Sequence, residues 1–93
     1  MSLELKVGQV WRAKRPAAAG SFLCPMINDR QIIWIDSFGS EIQYDSPSVA
    51  PGRKYPKVTR EAFEKWAGRE VKSELPPGGE WARWNDQDRS QNK

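Results

Sequence analysis

Cys24 is the single thiol of the chain, and the chain contains no histidine. A catalytic cysteine needs a neighbouring base or a positive environment to form its thiolate. Cys24 instead follows the apolar pair Phe22-Leu23, a setting typical of a small buried core residue. Without imidazole, the chain also lacks the usual acid–base group at neutral pH and a common transition-metal ligand. These features predict a protein without covalent catalysis.

Four carboxylates are the other candidates for chemistry: Asp29, Asp36, Glu41 and Asp45. A pair of carboxylates can hold a metal ion or exchange protons with a substrate. None of the four lies in a recognisable motif, and aspartate at a turn or strand end usually bonds its own backbone. The chain contains no phosphate-binding loop and no dinucleotide fingerprint. We therefore predict no enzyme, no cofactor, no metal site and no small-molecule substrate.

Basic side chains give the strongest signal for binding. They form two clusters, Arg12, Lys14 and Arg15, and then Arg53, Lys54 and Lys57 with Tyr55. Residues 1–60 hold nine Lys/Arg against five Asp/Glu, whereas residues 61–93 hold six against seven. Cations neutralise phosphates, and exposed rings such as Trp34 and Tyr55 stack on single-stranded bases. The clusters predict a nucleic-acid-binding face if their loops meet on one rim; a merely solvated basic surface is the alternative.

Trp81 and Trp84 follow the last regular element that the sequence predicts. One hypothesis is that this segment folds back and covers the domain with both rings. The other is that the two rings form an aromatic patch for a partner protein, which would make the chain an adaptor or inhibitor. The free energy of burying a tryptophan favours folding back.

Alternation of apolar and polar residues indicates strands in the first half of the chain. The predicted strands are residues 7–14, 21–27, 31–38 and 41–44. Residues 16–20 are predicted to be a loop because Pro16 cannot donate to a ladder. Asn28-Asp29 and Gly39-Ser40 have the composition of turns, so residues 21–44 are predicted to form a three-stranded meander.

The second half of the chain predicts a loop, one helix and a closing strand. Residues 46–57 are rich in proline and are predicted to be a loop. Thr59 is a suitable N-cap for a helix over residues 60–67, and Gly68 fits a left-handed C-cap. Residues 71–75 alternate as a closing strand. The predicted core consists of Trp11, Ile33, Ile35, Phe63 and Trp66.

The length of 93 residues suits a single domain. We predict one compact domain over residues 1–84 and a disordered tail over residues 85–93, which contain no apolar residue. The sequence has no apolar run long enough for a membrane helix and no cysteine pair for a disulfide. A cytoplasmic protein without membrane contact is therefore expected.

Two strand sequences resemble those of small SH3-like barrels of the Tudor and KOW kind: residues 6–12 (Lys-Val-Gly-Gln-Val-Trp-Arg) and 32–36 (Ile-Ile-Trp-Ile-Asp). The chain is also similar to short uncharacterised proteins of phages and plasmids. The resemblance implies a mainly β fold, a partly open antiparallel barrel with one short C-terminal helix. An α+β sheet with one packed helix is the alternative. The expected function is a non-enzymatic accessory or regulatory binding module for nucleic acid. A protein-interaction adaptor or inhibitor is the alternative, and an enzyme is a distant third.

Overall fold

The computed structural model describes residues 4–20, 23–49, 52–75 and 81–84. These residues form seven short strands, one α-helix and one 3-10 turn at Lys72–Glu74. The strands are β1 (Val10–Ala13), β2 (Ala18–Gly20), β3 (Pro25–Ile27), β4 (Arg30–Ile35), β5 (Glu41–Asp45), β6 (Lys57–Thr59) and β7 (Ala67–Glu70). The helix α1 spans Arg60–Trp66. No helix of the described residues is both long and apolar enough to cross a membrane.

The strands form two antiparallel sheets. The larger has the order β6-β5-β4-β1-β7, and β2 pairs with β3 in a separate two-stranded sheet. In the described pairings β6 and β7 remain at the two edges, so the larger sheet is not closed into a barrel. The predicted class, mainly β with one helix, is confirmed.

The predicted meander over residues 21–44 is wrong in its first strand. β3 pairs with β2 and not with β4. β2 itself lies within residues 16–20, which were predicted to be a loop. Asn28 does not act as a turn residue, because its main-chain N–H donates to the carbonyl of Ala17 at 2.9 Å and extends the β2–β3 ladder. The side chain of Asn28 accepts a hydrogen bond from the Ala17 N–H at 3.0 Å. The chain therefore passes from one sheet to the other at Asp29.

A β-bulge in β4 decides which of its side chains enter the core. Ile32 pairs with Tyr44 and Trp34 with Gln43, so Ile33 is an extra residue without a partner on β5. The bulge resets the alternation. Ile32 is consequently buried in the core, whereas Ile33 is only half-buried and lies outside the core cluster. The prediction of Ile33 as a core residue is wrong for this reason.

The core lies between the larger sheet and α1. Its buried members are Leu5, Trp11, Ile32, Ile42, Phe63 and Ala67. The predictions of buried Trp11 and Phe63 are confirmed. Ile35 and Trp66 pack against this cluster but remain half-buried. The rings of Phe63 and Trp66 lie 5.4 Å apart between centroids.

The helix begins as predicted and ends differently. The side chain of Thr59 accepts a hydrogen bond from the Ala62 N–H at 3.1 Å. At the other end Ala67 is already extended, and Gly68 belongs to β7 instead of a left-handed cap. A Cβ on Gly68 would lie 3.1 Å from the carbonyl oxygens of Arg12 and Ala13. Glycine is thus required here by the close approach of β7 to β1.

Two further predicted boundaries are wrong. Residues 71–75 form a 3-10 turn and its flanks, because the closing strand β7 comes earlier, directly after the helix. Lys57, which was assigned to the long loop, begins β6. The predicted tail over residues 85–93 lies outside the described residues.

A buried ion pair connects β1 to the crossing point between the sheets. The guanidinium of Arg12 donates from Nε to Asp29 Oδ1 at 2.9 Å and from Nη2 to Asp29 Oδ2 at 3.1 Å. Asp29 is 0% exposed, and the Arg12 side chain is 14% exposed. A bidentate pair of this kind fixes the direction of both side chains. The pair therefore holds the β3–β4 connection against β1.

Replacing Asp29 by Asn should destabilise the protein by about 3 kcal/mol, because it removes the buried carboxylate charge that balances the shielded Arg12 guanidinium. Urea unfolding followed by tryptophan fluorescence measures this change. Glu61→Gln is the matched control, since Glu61 pairs with Lys65 across exposed helix surface. The control should change the free energy of unfolding by about 0.5 kcal/mol or less. Equal stability of the two variants would contradict the structural role of Asp29.

Candidate functional site

The bulge in β4 turns Trp34 to the face of the sheet opposite the core. Trp34 pairs with Gln43 on β5, and Gln43 pairs with Lys57 on β6. We call these three residues the Trp34 row. The ammonium nitrogen of Lys57 lies 4.9 Å from the centroid of the Trp34 ring, and Trp34 is 39% exposed. A tryptophan ring with a cation beside it is therefore open to solvent in the middle of the sheet face.

The loop before β6 continues this surface. The side chain of Gln43 donates a hydrogen bond to the carbonyl of Tyr55 at 3.0 Å, which holds the loop next to the Trp34 row. Tyr55 is 45% exposed, and its neighbours Arg53 and Lys54 are also exposed. Two exposed aromatic residues and three cations thus lie on adjoining segments of the chain.

Ion pairs occupy many of the other basic residues. Within the described residues these pairs are Lys6–Glu4, Arg12–Asp29, Arg60–Glu64, Lys65–Glu61 and Arg69–Glu74. The hydrogen bond from Arg69 lowers the pKa of the Glu74 carboxyl below its ordinary value. Five of the predicted basic binding residues form no ion pair within the same part of the chain, and they are Lys14, Arg15, Arg53, Lys54 and Lys57. Arg12, by contrast, serves the structure through Asp29.

The two basic clusters border different cavities. Lys14 and Arg15, after β1, line a hollow of about 270 Å³ together with Lys65 and Trp66 of the helix. Arg53 and Tyr55 line a second cavity, and two strands, β4 and β5, separate β1 from β6. The structure therefore presents two separate basic surfaces. The surface at Lys14 and Arg15 also includes Lys65 and Trp66, which the sequence had indicated only as helix residues.

Arg30 makes cation–π contacts with Trp66 and Tyr44 that the sequence did not predict. Its guanidinium lies 4.1 Å from the Trp66 ring centroid and 4.3 Å from that of Tyr44. Burial lowers the pKa of the Arg30 guanidinium from its ordinary value, with a smaller opposing effect of Tyr44. A cation between two rings is stabilising when it is partly removed from water. Arg30 therefore joins the helix to β5 by contacting the rings of Trp66 and Tyr44. Trp66 is thus positioned both by the core and by a cation.

The larger cavity, of about 500 Å³, lies where the loop after β5 meets the β2–β3 sheet. Its lining includes Met26, Asp45, Arg53, Tyr55 and Trp81. Cys24 also borders this cavity and is half-buried, so its predicted place in the core is wrong. We call this space the Tyr55 cavity. It combines aromatic walls with one acidic and one basic side chain.

Trp81 and Trp84 lie on a segment that folds back along β3. The carbonyl of Ala82 accepts a hydrogen bond from the Ile27 N–H at 2.8 Å, and Trp84 donates its N–H to the Pro25 carbonyl at 3.0 Å. Both tryptophans are half-buried. Of the two predicted arrangements, the structure has the folded-back one. Trp81 is nevertheless part of the cavity wall.

Asp36, one of the four candidate carboxylates, serves local structure. Asp36 Oδ1 accepts hydrogen bonds from the main-chain N–H groups of Ser40 at 2.7 Å and Glu41 at 3.1 Å, and Oδ2 accepts one from the Ser40 hydroxyl at 2.8 Å. These bonds, first the one from Glu41 and then that from the Ser40 side chain, hold the pKa of Asp36 below its ordinary value. Across the described ranges, no group of three His, Cys, Asp or Glu residues could hold a metal ion.

The Asp36 bonds close the β4–β5 hairpin that carries Trp34 and Gln43, and they predict a pH dependence. Because the folded-state pKa is depressed, their contribution to stability is present above the ordinary aspartate pKa. It is lost as the pH falls through the folded-state pKa. Ser40→Ala removes the hydroxyl bond, so an NMR titration of the Asp36 carboxyl should show its pKa rising toward the ordinary value. Ser37→Ala is the control in the same turn and should leave the pKa in place. An unchanged pKa in Ser40→Ala would contradict this account.

Comparison with protein-family models, with curated proteins and with solved structures found no match for this chain.

Proposed function

We propose that the protein is a non-enzymatic accessory module that binds single-stranded nucleic acid through the open face of β4, β5 and β6. The observation that carries this proposal is the combination of exposed Trp34 and Tyr55 with Arg53, Lys54 and Lys57 on that face. Its single cysteine is a free thiol, which suits the cytoplasmic location that the sequence predicts.

Stacking and charge supply complementary parts of such binding. Every base has a flat face that stacks on an aromatic ring, and cations beside the ring neutralise the phosphates. Lys57 is placed to contact the phosphate of a base that stacks on Trp34, because its ammonium lies over the Trp34 ring. Arg53 and Lys54 are exposed in the loop that precedes β6. The surface therefore supports affinity with little dependence on base sequence.

Single strands suit this surface better than duplexes. Bases in a duplex are stacked on one another, so rings on a sheet face reach them only where the strand is unpaired. Trp34 lies within a strand of the sheet, where its backbone position is fixed by pairing with Gln43. Because the backbone at Trp34 is already ordered, stacking on its ring costs less conformational entropy than stacking on a ring in an unpaired segment. The hollow formed by Lys14, Arg15 and Lys65, where β1 ends beside the helix, offers a separate set of phosphate contacts.

Reversing two charges, Arg53→Glu with Lys54→Glu, should weaken binding of single-stranded DNA. The slope of log affinity against log salt should also become shallower by about 1.5 units, because two phosphate contacts are lost. Fluorescence anisotropy of a labelled oligonucleotide, measured over a salt series, gives both quantities.

The matched control reverses Lys6 and Lys72, two exposed lysines on segments outside the β4–β6 face. It makes the same change in net charge, so it should alter affinity much less and leave the slope nearly intact. If both double variants weaken binding alike, only net charge matters and the proposed face is wrong. If the parent protein binds no oligonucleotide at low salt, the proposed function is wrong.

A protein partner is the second candidate function, and Phe38 is the observation that favours it. Phe38 lies at the tip of the β4–β5 hairpin and is 91% exposed. An exposed aromatic ring at a loop tip is a common anchor in protein interfaces. Phe38→Ser should abolish binding of such a partner and leave oligonucleotide affinity unchanged. Capture from native lysate, with and without nuclease, separates a partner held through nucleic acid from one held directly.

A further inference from the structure

We propose that the Tyr55 cavity holds one base of the bound strand and that Asp45 favours a base with an amino group. This inference rests on the proposed function and names what the site recognises. The cavity volume of about 500 Å³ lies within the range of roughly 300–1,000 Å³ that is typical of ligand sites. The cavity is therefore large enough to admit a base with part of its sugar.

The walls of the cavity suit a flat aromatic ligand. Tyr55 and Trp81 contribute rings, and Met26 contributes a polarisable thioether. Trp81 is held in place because its segment pairs with β3 through Ala82 and Trp84. The stacking surface is therefore built by two parts of the chain that are far apart in sequence. This arrangement gives the half-buried Trp81 a role beyond covering the domain.

Asp45 provides a hydrogen-bond acceptor in this wall. Its Oδ1 accepts the main-chain N–H of Ser46 at 2.8 Å. Within the described residues no further hydrogen bond or ion pair engages its Oδ2. A carboxylate accepts from the amino group of cytosine, whereas thymine presents a carbonyl oxygen at the same position. Asp45 therefore distinguishes two bases that are similar in size and stacking.

The cavity is continuous with the proposed binding face. Gln43, in the middle of the Trp34 row, donates to the Tyr55 carbonyl, and Tyr55 lines the cavity. Arg53 also lines it, whereas its neighbour Lys54 does not. A strand that stacks one base on Trp34 has another base within reach of Tyr55. The phosphates then lie on the side of Arg53 and Lys54.

The test compares oligo-dC with oligo-dT of equal length, using the full chain and fluorescence anisotropy at fixed salt. The parent protein should bind oligo-dC about tenfold more tightly, in keeping with one good base contact. Asp45→Asn should remove or reverse this preference. Its amide oxygen can keep the Ser46 bond while its amide nitrogen donates where Oδ2 accepted, which favours the thymine carbonyl. Circular dichroism and the melting temperature verify that the variant is folded.

A second pair of variants separates base contact from charge. Arg53→Ala and Lys54→Ala remove the same charge from adjacent exposed positions. Both should lower affinity, but only Arg53→Ala should also change the ratio of oligo-dC to oligo-dT affinity. Tyr55→Ala should weaken binding about tenfold, and Tyr55→Phe should retain it because the ring remains.

The outcomes separate the two proposals. Salt-dependent binding with equal affinity for oligo-dC and oligo-dT overturns the cavity assignment and leaves the proposed function standing. A preference for oligo-dC that persists in Asp45→Asn overturns the role of Asp45. No binding of either oligonucleotide overturns the proposed function and the cavity assignment together.

Discussion

The ion pair between Arg12 and Asp29 is the constraint on which the arrangement of the two sheets depends. Both groups are withdrawn from water, and each satisfies two hydrogen-bonding positions of the other. A bidentate pair tolerates little change in direction, so it fixes where the chain leaves β3 and enters β4. The β3–β4 connection is thereby held against β1, and β2 and β3 form a sheet of their own instead of extending the larger one. This position in turn brings Met26 and Trp81 to the cavity that Tyr55 borders.

The second constraint is the bulge in β4, which separates the core from the binding face. One unpaired residue, Ile33, lets both Ile32 and Ile35 contact the core while Trp34 remains on the other face. Regular alternation would have placed Ile33 and Ile35 together. The face that carries Trp34 then gains Lys57 and Gln43 from the neighbouring strands. Packing requirements on one side of the sheet thus determine which aromatic ring is displayed on the other.

Local patterns predicted the elements whose signals are local. The class of fold, β4, β5 and the Thr59 cap followed from alternation and capping chemistry. Features that depend on distant partners were missed. Asp29 follows Asn28 in a pair that is typical of turns. It is instead a buried member of an ion pair, because Arg12, 17 positions away in the sequence, donates to its carboxylate. Likewise, Gly68 has the signature of a helix cap, but the closeness of β1 explains it.

The basic clusters show the same limit. Sequence reasoning treated Arg12 as available, although it pairs with Asp29, and it joined clusters that border separate cavities. The central claim is that the face with Trp34, Gln43 and Lys57 contacts single-stranded nucleic acid. Titration of ¹⁵N-labelled protein with a short oligo-dC strand tests this most directly. The account predicts that the Trp34 indole and the Gln43 side-chain amide shift first and farthest, together with main-chain amides of the loop at Tyr55. Shifts confined to the turn around Phe38, residues 37–40, or no shifts at low salt, would contradict it.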